Sequence, residues 1–440
     1  AEEHTQEKNF LERMSALNLK ILQEKEKPKP NTAALQEIEG QLQNARSEHE
    51  AFFANLYASH PEIRLERGEI PNVSLKDAVR LIPDAETGVL EYVVTPGRTY
   101  LFLVGSDSDS VRLFPINLTR AELSKRIDAF HAKIATQNLE FSAEARDLYR
   151  ILLGPAESVL ARKKNLLIIP DAEIWNVPFE ALKTDSNRYM LQDHLVLYVP
   201  SLAALQEMLR ISKPGGPPRQ RVLFAMGNPV ADSSAVARAK ELYRSELLTP
   251  LPDAEHEVNA LAGIYGRANS TIYIGKEARE DRFKTEADQY RILHIATHGI
   301  LNDASPLYSQ LVLAPSPAGG SEDGLLEAWE IMKLKLNADL AVLSACETGR
   351  GKIGSGEGVI GLSWALLVAG VPTTVVSKWK VESTSTSRLM VDFHRYLYSH
   401  QTGNFPIPEA LRQAALTLLD QPAHSHPFYW AGFAVIGAGK

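Results

Sequence analysis

Leu340-Ala341-Val342-Leu343-Ser344-Ala345-Cys346-Glu347-Thr348-Gly349 and, upstream, Arg291-Ile292-Leu293-His294-Ile295-Ala296-Thr297-His298-Gly299 decide how this chain is read. Each begins with five or six mostly apolar residues, the length and composition of a strand buried on both faces. Each reaches a glycine within a few residues, which marks the turn out of the strand. One run delivers a histidine at its end, and the other delivers the only cysteine of the 440 residues.

The flanking segments repeat the pattern. Arg221–Met226, Thr271–Ile274, Thr373–Ser377 and Phe433–Ile436 are further strand candidates. Ala254–Tyr265, Asp281–Tyr290, Leu326–Leu334, Val359–Ala369, Thr384–Ser399 and Ile407–Leu419 are helical candidates between them. Strand and helix in alternation predict an α/β fold with a mostly parallel sheet flanked by helices. In such sheets chemistry gathers beyond the carboxyl ends of the strands, where His298 and Cys346 lie.

A similar alternation precedes this one. Val89–Val94 and Tyr100–Val104 flank Thr95-Pro96-Gly97-Arg98 and read as a hairpin. Asn165–Ile169 and His194–Val199 are runs of the buried-strand type, with Thr119–Thr136 and Ala143–Leu153 as helices. Lys213-Pro214-Gly215-Gly216-Pro217-Pro218 is the clearest linker. The expected organisation is one α/β unit over 66–212, a second over 219–440, and a helical hairpin over 1–65. In the hairpin, Phe10, Met14, Leu17 and Ile21, then Leu35, Ile38, Leu42, Ala45, His49, Phe52 and Leu56, keep 3–4 spacing. Lys27-Pro28-Lys29-Pro30 separates the two stripes, because proline cannot continue a helix.

Composition excludes several classes. With 44% hydrophobic and 23% charged residues the chain is ordinary globular protein of two to three domains. A net charge of −7 argues against an electrostatically driven nucleic-acid binder. A lone cysteine permits no intrachain disulfide and fits a reducing, cytoplasmic setting. No apolar run approaches the ~18 residues of a membrane span. The polar start, Ala1-Glu2-Glu3-His4, is not a signal peptide, and without an initiator Met the chain reads as a piece of a longer protein.

The histidine and cysteine suit one chemistry. Only a thiolate is a strong nucleophile, and a free thiol at neutral pH is a few per cent ionised. A histidine can take the thiol proton and return it to a leaving amine. Neighbouring parallel strands lie about 5 Å apart, so side chains at adjacent strand ends can meet. The oxyanion of the intermediate needs donors, for which the backbone N–H groups of Gly299 and Cys346 are candidates. Either residue alone would be read as core. Together at consecutive strand ends they point to a cysteine nucleophile, Cys346, with His298 as acid/base partner. His294 lies inside its strand and reads as a core or supporting residue.

These segments resemble the CHAT domains, caspase- and separase-related cysteine peptidases of clan CD. The resemblance is carried by Leu293–Gly299, Leu343–Gly349, Gly354–Leu362, Val375–Trp379, His426–Phe433 and Asp171–Leu182, and spans roughly residues 70 to 440. His298 precedes Cys346 by 48 residues, close to the caspase spacing of about 50. The resemblance implies two caspase-like units, an inactive one and then an active one, with the catalytic pair falling on His298 and Cys346. It also implies a TPR array ahead of the peptidase, of which the hairpin would be the end, and an upstream TPR-bound activator. Antiviral defence or programmed cell death in bacteria, with gasdermin-like proteins as substrates, belongs to the same implication. Where several caspase relatives carry Asp or Gln two residues before the cysteine, this chain has Ser344, which sets no charge preference. Asp303, Glu347 and Glu357 are acidic residues on nearby loops that could select a basic substrate side chain, although a solvated loop is the simpler account.

Other patterns carry less. Gly356-x-Gly358-x-x-Gly361 matches a dinucleotide fingerprint but follows its strand by about a dozen residues, too far for the helix terminus to hold a pyrophosphate. It reads instead as a loop beside the cysteine that orders on substrate. His424 and His426 lack the partners of a zinc site, and no Gly-x-Ser-x-Gly elbow is present. No metal and no cofactor are expected. The rival reading is a non-catalytic interaction scaffold that keeps the fold.

Overall fold

The computed structural model describes residues 9–10, 13, 17, 20, 24, 31–59, 73–106, 111–212, 221–230, 249–301, 306–317, 322–345, 353–354, 358–359, 361–379, 381–399 and 405–440. They divide into two compact units, one built on the N-terminal helices and one on residues 71–232 and 248–440. In the first, helix α1 (Thr32–Ser59) buries Leu42 and Ala45. Phe10 meets Phe52 at 5.6 Å and Arg13 pairs with Glu48 at 2.6 Å, the antiparallel register of a hairpin. No helix among the described residues is long and apolar enough to cross a membrane.

The second unit is built on one sheet. Strands β1 (Thr87–Val94) and β2 (Thr99–Gly105) form the expected hairpin, with Leu90 opposite Leu103. β3 (Arg112–Ile116) extends it, and its Pro115 is tolerated because an edge strand leaves one row of N–H groups unpaired. Helix α2 (Arg120–Ala135) starts at a Thr119/Glu122 capping box and buries Leu123, Ile127, Phe130 and Ile134 at 3–4 spacing. Helix α3 (Phe141–Leu152) packs beside it. β4 (Asn165–Ile169) runs parallel to β1, and β5 (Leu195–Tyr198) parallel to β4.

After residue 220 come β6 (Arg221–Gly227), helix α4 (Pro252–Tyr265), β7 (Ser270–Ile274), helix α5 (Glu280–Glu286) and β8 (Tyr290–Ala296). β9 (Gly299–Ile300), β10 (Gln310–Val312) and β11 (Leu325–Glu327) make a small antiparallel sheet. β12 (Leu340–Ser344) returns to the main sheet, and β13 (Ile353–Gly354) pairs with β14 (Gly358–Val359). Helix α6 (Leu362–Val368), β15 (Thr373–Ser377), helices α7 (Ser383–Ser399) and α8 (Pro406–Leu419), and β16 (Phe433–Gly437) complete the unit. The main sheet has eleven strands in the order β3-β2-β1-β4-β5-β16-β15-β12-β8-β6-β7. It is mostly parallel, the exceptions being β1–β2, β2–β3 and β15–β16.

Helices cover both faces. Leu223, Ala225 and Ala296 pack beneath Ala254, Val258, Leu261 and Tyr265 of α4. Gly227 permits that close seat: a Cβ there would lie 2.7 Å from the Ala254 carbonyl oxygen and 2.8 Å from a Val258 methyl. Phe224 packs against Phe283 of α5 at 6.2 Å, on the opposite face from its neighbours Leu223 and Ala225. The two alternations meet where β16 runs parallel to β5, Ile436 opposite Tyr198. Side chains tie that junction. Arg412 of α8 donates to the carbonyls of Leu191 and Gln192 at 2.7 and 2.9 Å. The buried Lys378 ammonium donates to the Val177 carbonyl at 2.9 Å and lies 3.6 Å from the Tyr198 ring centroid.

Three helical expectations change. The helix expected over Asp281–Tyr290 ends at Glu286, because Tyr290 already opens β8. In place of a helix over Leu326–Leu334, Leu325–Glu327 is a strand held by β10, Leu326 opposite Leu311, and only Ala328–Ile331 is α-helical. The helix expected from Val359 starts at Leu362, since Gly358–Val359 pairs with Ile353–Gly354.

Candidate active site

β8 and β12 are neighbours in register, with Ala296 opposite Ser344, the last residue of each strand. The Thr297 N–H donates to the Ser344 carbonyl at 3.3 Å, so the two backbones are still joined one residue beyond the strand. His298 follows Ala296 by two residues, and Cys346 follows Ser344 by two. Cys346 itself lies outside the described residues, as do Glu347, Asp303 and Glu357. Up to Ala345 the cysteine strand is fixed, because the buried Ser377 hydroxyl at the end of β15 donates to the Ala345 carbonyl. Ser344 is buried.

His298 is oriented by the backbone. Its Nε2 lies 2.8 Å from the carbonyl oxygen of Thr249, three residues before α4. A carbonyl only accepts, so Nε2 carries the hydrogen, and in the neutral ring Nδ1 keeps its lone pair as the available base. Burial pushes the His298 pKa below its ordinary value, partly offset by the Thr249 hydrogen bond. A ring so placed is neutral at neutral pH, the state a general base requires. Around it, the Val312 N–H donates to the His298 carbonyl at 2.9 Å, and the Thr297 hydroxyl donates to the Val312 carbonyl. Because an antiparallel ladder alternates, this bond makes Gly299 and Leu311 a non-hydrogen-bonded pair. The Gly299 N–H is therefore turned away from β10.

His294, two residues before the end of β8, is 0% exposed. Its Nε2 lies 2.7 Å from the Glu257 carboxylate and its Nδ1 3.0 Å from His394 Nε2, while His394 Nδ1 lies 2.9 Å from the Tyr265 hydroxyl. All four are buried, and they join α4, β8 and α7. Burial, followed by the neighbouring His294, holds the His394 pKa well below its ordinary value. With both rings neutral and Glu257 ionised, the donor order runs from Tyr265 to His394, from His394 to His294 and from His294 to Glu257. The network supports the histidine strand from below and touches no reacting atom.

Among the described residues, Glu280, Glu322 and Glu330 are grouped closely enough to suggest a metal, their ligand oxygens within 4.8 Å of one another. Lys284 already lies among them, its ammonium 2.7 Å from both Glu280 and Glu330 and in contact with Glu322. Burial and the Glu330 charge push Glu280 up to about 8. The lysine supplies the cation that this cluster needs.

A model of the CHAT domain matches residues 142–438. The chain belongs to the CHAT domain family. Among curated proteins, human tetratricopeptide repeat protein 28 is 27% identical over 340 residues, covering 67% of this chain and 13% of that protein. The mouse protein of the same name is 25% identical over 349 residues, covering 69% and 13%. The chain thus spans about an eighth of the length of these relatives. Among solved structures, the Saccharomyces cerevisiae separase–securin complex superposes with a TM-score of 0.53 at 10% identity, over 82% of this chain and 30% of that one. That likeness is one of fold, a caspase-like α/β architecture.

Sequence reasoning missed Thr249, which acts through a carbonyl that every residue type possesses. It also missed Ser377, which lay within a quoted family-like segment but was given no role. Nothing in the sequence links Glu257, Tyr265 and His394 to His294, since the contacts span up to 129 residues.

Proposed function

We propose that this CHAT domain is a cysteine endopeptidase acting on a protein substrate through an acyl-enzyme on Cys346. The observation that carries the reading is the Ala296–Ser344 register, with His298 turned by Thr249 so that Nδ1 is its free base. In the proposed reaction, Nδ1 takes the Cys346 thiol proton as the sulfur attacks the scissile carbonyl carbon. The oxyanion is met by the N–H groups of Gly299 and Cys346. Collapse breaks the C–N bond, and the amine leaves with the proton from Nδ1. Water, deprotonated by the same nitrogen, then cleaves the thioester and releases the acid and the thiol. Ser344, Glu347, Asp303 and Glu357 are the proposed substrate-side residues.

The same proposal takes 66–212 as an inactive caspase-like unit, 219–440 as the active one and 1–65 as the end of a TPR array. A cytoplasmic defence or cell-death role, an activator bound to that array and a gasdermin-like target complete it. The test is a protein-substrate library cleaved by the wild type and by Cys346→Ala. Cleavage is expected only from the wild type, and equal turnover by both would end the reading. Iodoacetamide labelling of Cys346 should slow by up to about 30-fold in His298→Ala, the change expected when an activated thiolate reverts to a thiol only a few per cent ionised. Labelling indifferent to His298 would mark an interaction scaffold.

A further inference from the structure

The orientation of His298 depends on the place of one carbonyl, so whatever holds Thr249 matters to the imidazole. Thr249 is exposed and precedes α4 without belonging to it. Two residues later the Leu251 N–H donates to the Asn228 side-chain oxygen at 2.7 Å. Asn228 follows Gly227 at the end of β6, and its own N–H donates to the Ala296 carbonyl at 3.1 Å. Its amide nitrogen reaches Glu255 in the first turn of α4 at 3.4 Å. Its φ of 49° is in the left-handed region, which asparagine tolerates better than most residues.

These bonds close a ring. Ala296 leads in two residues to His298, His298 donates to Thr249, Thr249 leads in two residues to Leu251, and Leu251 donates to Asn228. Asn228 then donates back to Ala296. We infer that Asn228 is the positioning residue of His298, fixing the acceptor that decides which ring nitrogen is the base. The inference rests on the peptidase reading of His298. Asn228 meets no reacting atom and acts only through Leu251 and Thr249.

The test measures carbamidomethylation of Cys346 by iodoacetamide at pH 7 in four proteins: wild type, Asn228→Gly, His298→Ala and the double variant. Glycine accepts the positive φ and keeps the bond to Ala296, so it removes only the side chain. Asn228→Gly is expected to label about tenfold more slowly, part of the loss from removing the base itself. In the His298→Ala background the same change should alter the rate by less than about twofold, because coupled residues are not additive. Asn228→Asp, made together with Glu255→Gln so that no second carboxylate faces it, keeps an acceptor for the Leu251 N–H and should label within about threefold of wild type. Should the glycine variant not fold, as judged by circular dichroism, Asn228→Ala, which also lacks the acceptor, takes its place with the same tenfold expectation. Wild-type labelling in Asn228→Gly, an equal loss in both backgrounds, or a tenfold loss in Asn228→Asp with Glu255→Gln would overturn the inference. Unchanged labelling in His298→Ala would instead remove the peptidase reading, and the inference with it.

Discussion

Replacing Glu257 with leucine tests the buried chain beneath the site. Glu257 is 2% exposed, and its carboxylate takes the hydrogen of His294 Nε2 at 2.7 Å. Leucine is of similar size, so little volume is lost, but the His294 donor is left in a core with no water to meet it. An orphaned buried donor costs about 1–3 kcal/mol, and a broken buried pair involving charge about 3–5 kcal/mol. The substitution should therefore lower stability by ~3 kcal/mol, roughly a hundredfold in the unfolding equilibrium. Urea denaturation followed by far-UV circular dichroism reads this directly. Arg291→Ala is the control, because its 2.7 Å pair with Asp339 is exposed on both sides and should contribute about 1 kcal/mol or less. If Glu257→Leu stayed within about 0.5 kcal/mol of wild type, or no further from it than the control, the network would not be a stabilising element.

The His394 ring adds a pH dependence whose sign is fixed. Its folded pKa lies below the ordinary histidine value, so the unfolded chain takes a proton that the folded chain refuses. Its contribution is complete above about pH 6.5 and declines as pH falls below that, by up to about 1.4 kcal/mol per pH unit. In His394→Asn the acid-side slope of urea midpoints should weaken by about one proton, and an unchanged slope would contradict the assignment. Gly227→Ala should destabilise by about 1–3 kcal/mol, because the new methyl must push α4 away from β6; a thermal midpoint equal to wild type would show that the helix gives way freely. Ser377→Ala removes the donor to the carbonyl just before Cys346. It should cost no more than about 1.5 kcal/mol of stability yet slow iodoacetamide labelling several-fold, and equal labelling rates would show that the cysteine loop does not depend on it.

What the sequence revealed follows from where each signal is stored. A strand buried on both faces must be a short apolar run, so β4, β5, β8, β12, β15 and β16 could be read residue by residue. The antiparallel hairpin was legible through its Pro-Gly turn. β3 escaped because Pro115 disguises it and only pairing with β2 makes it a strand. Leu325–Glu327 looked helical because its register is set by β10, a partner with no local trace in the sequence. Strand order ahead of His298 and Cys346 was legible in outline, since consecutive strands of a parallel sheet tend to be neighbours, as β8 and β12 are. The clamp on His298 was not, because Asn228 and Thr249 approach it only after β6 and α4 are assembled.

The junction between β5 and β16 bears on how this domain can be cut down. A version starting at residue 219 would strip the partner strand from β16 and leave a bare hydrogen-bonding edge in the middle of what had been a covered sheet. It would also strand the Lys378 ammonium without Val177 and Tyr198, and Arg412 without the carbonyls it grips. The upstream strands are therefore part of one continuous sheet, and attempts to express a shorter version should begin before β1.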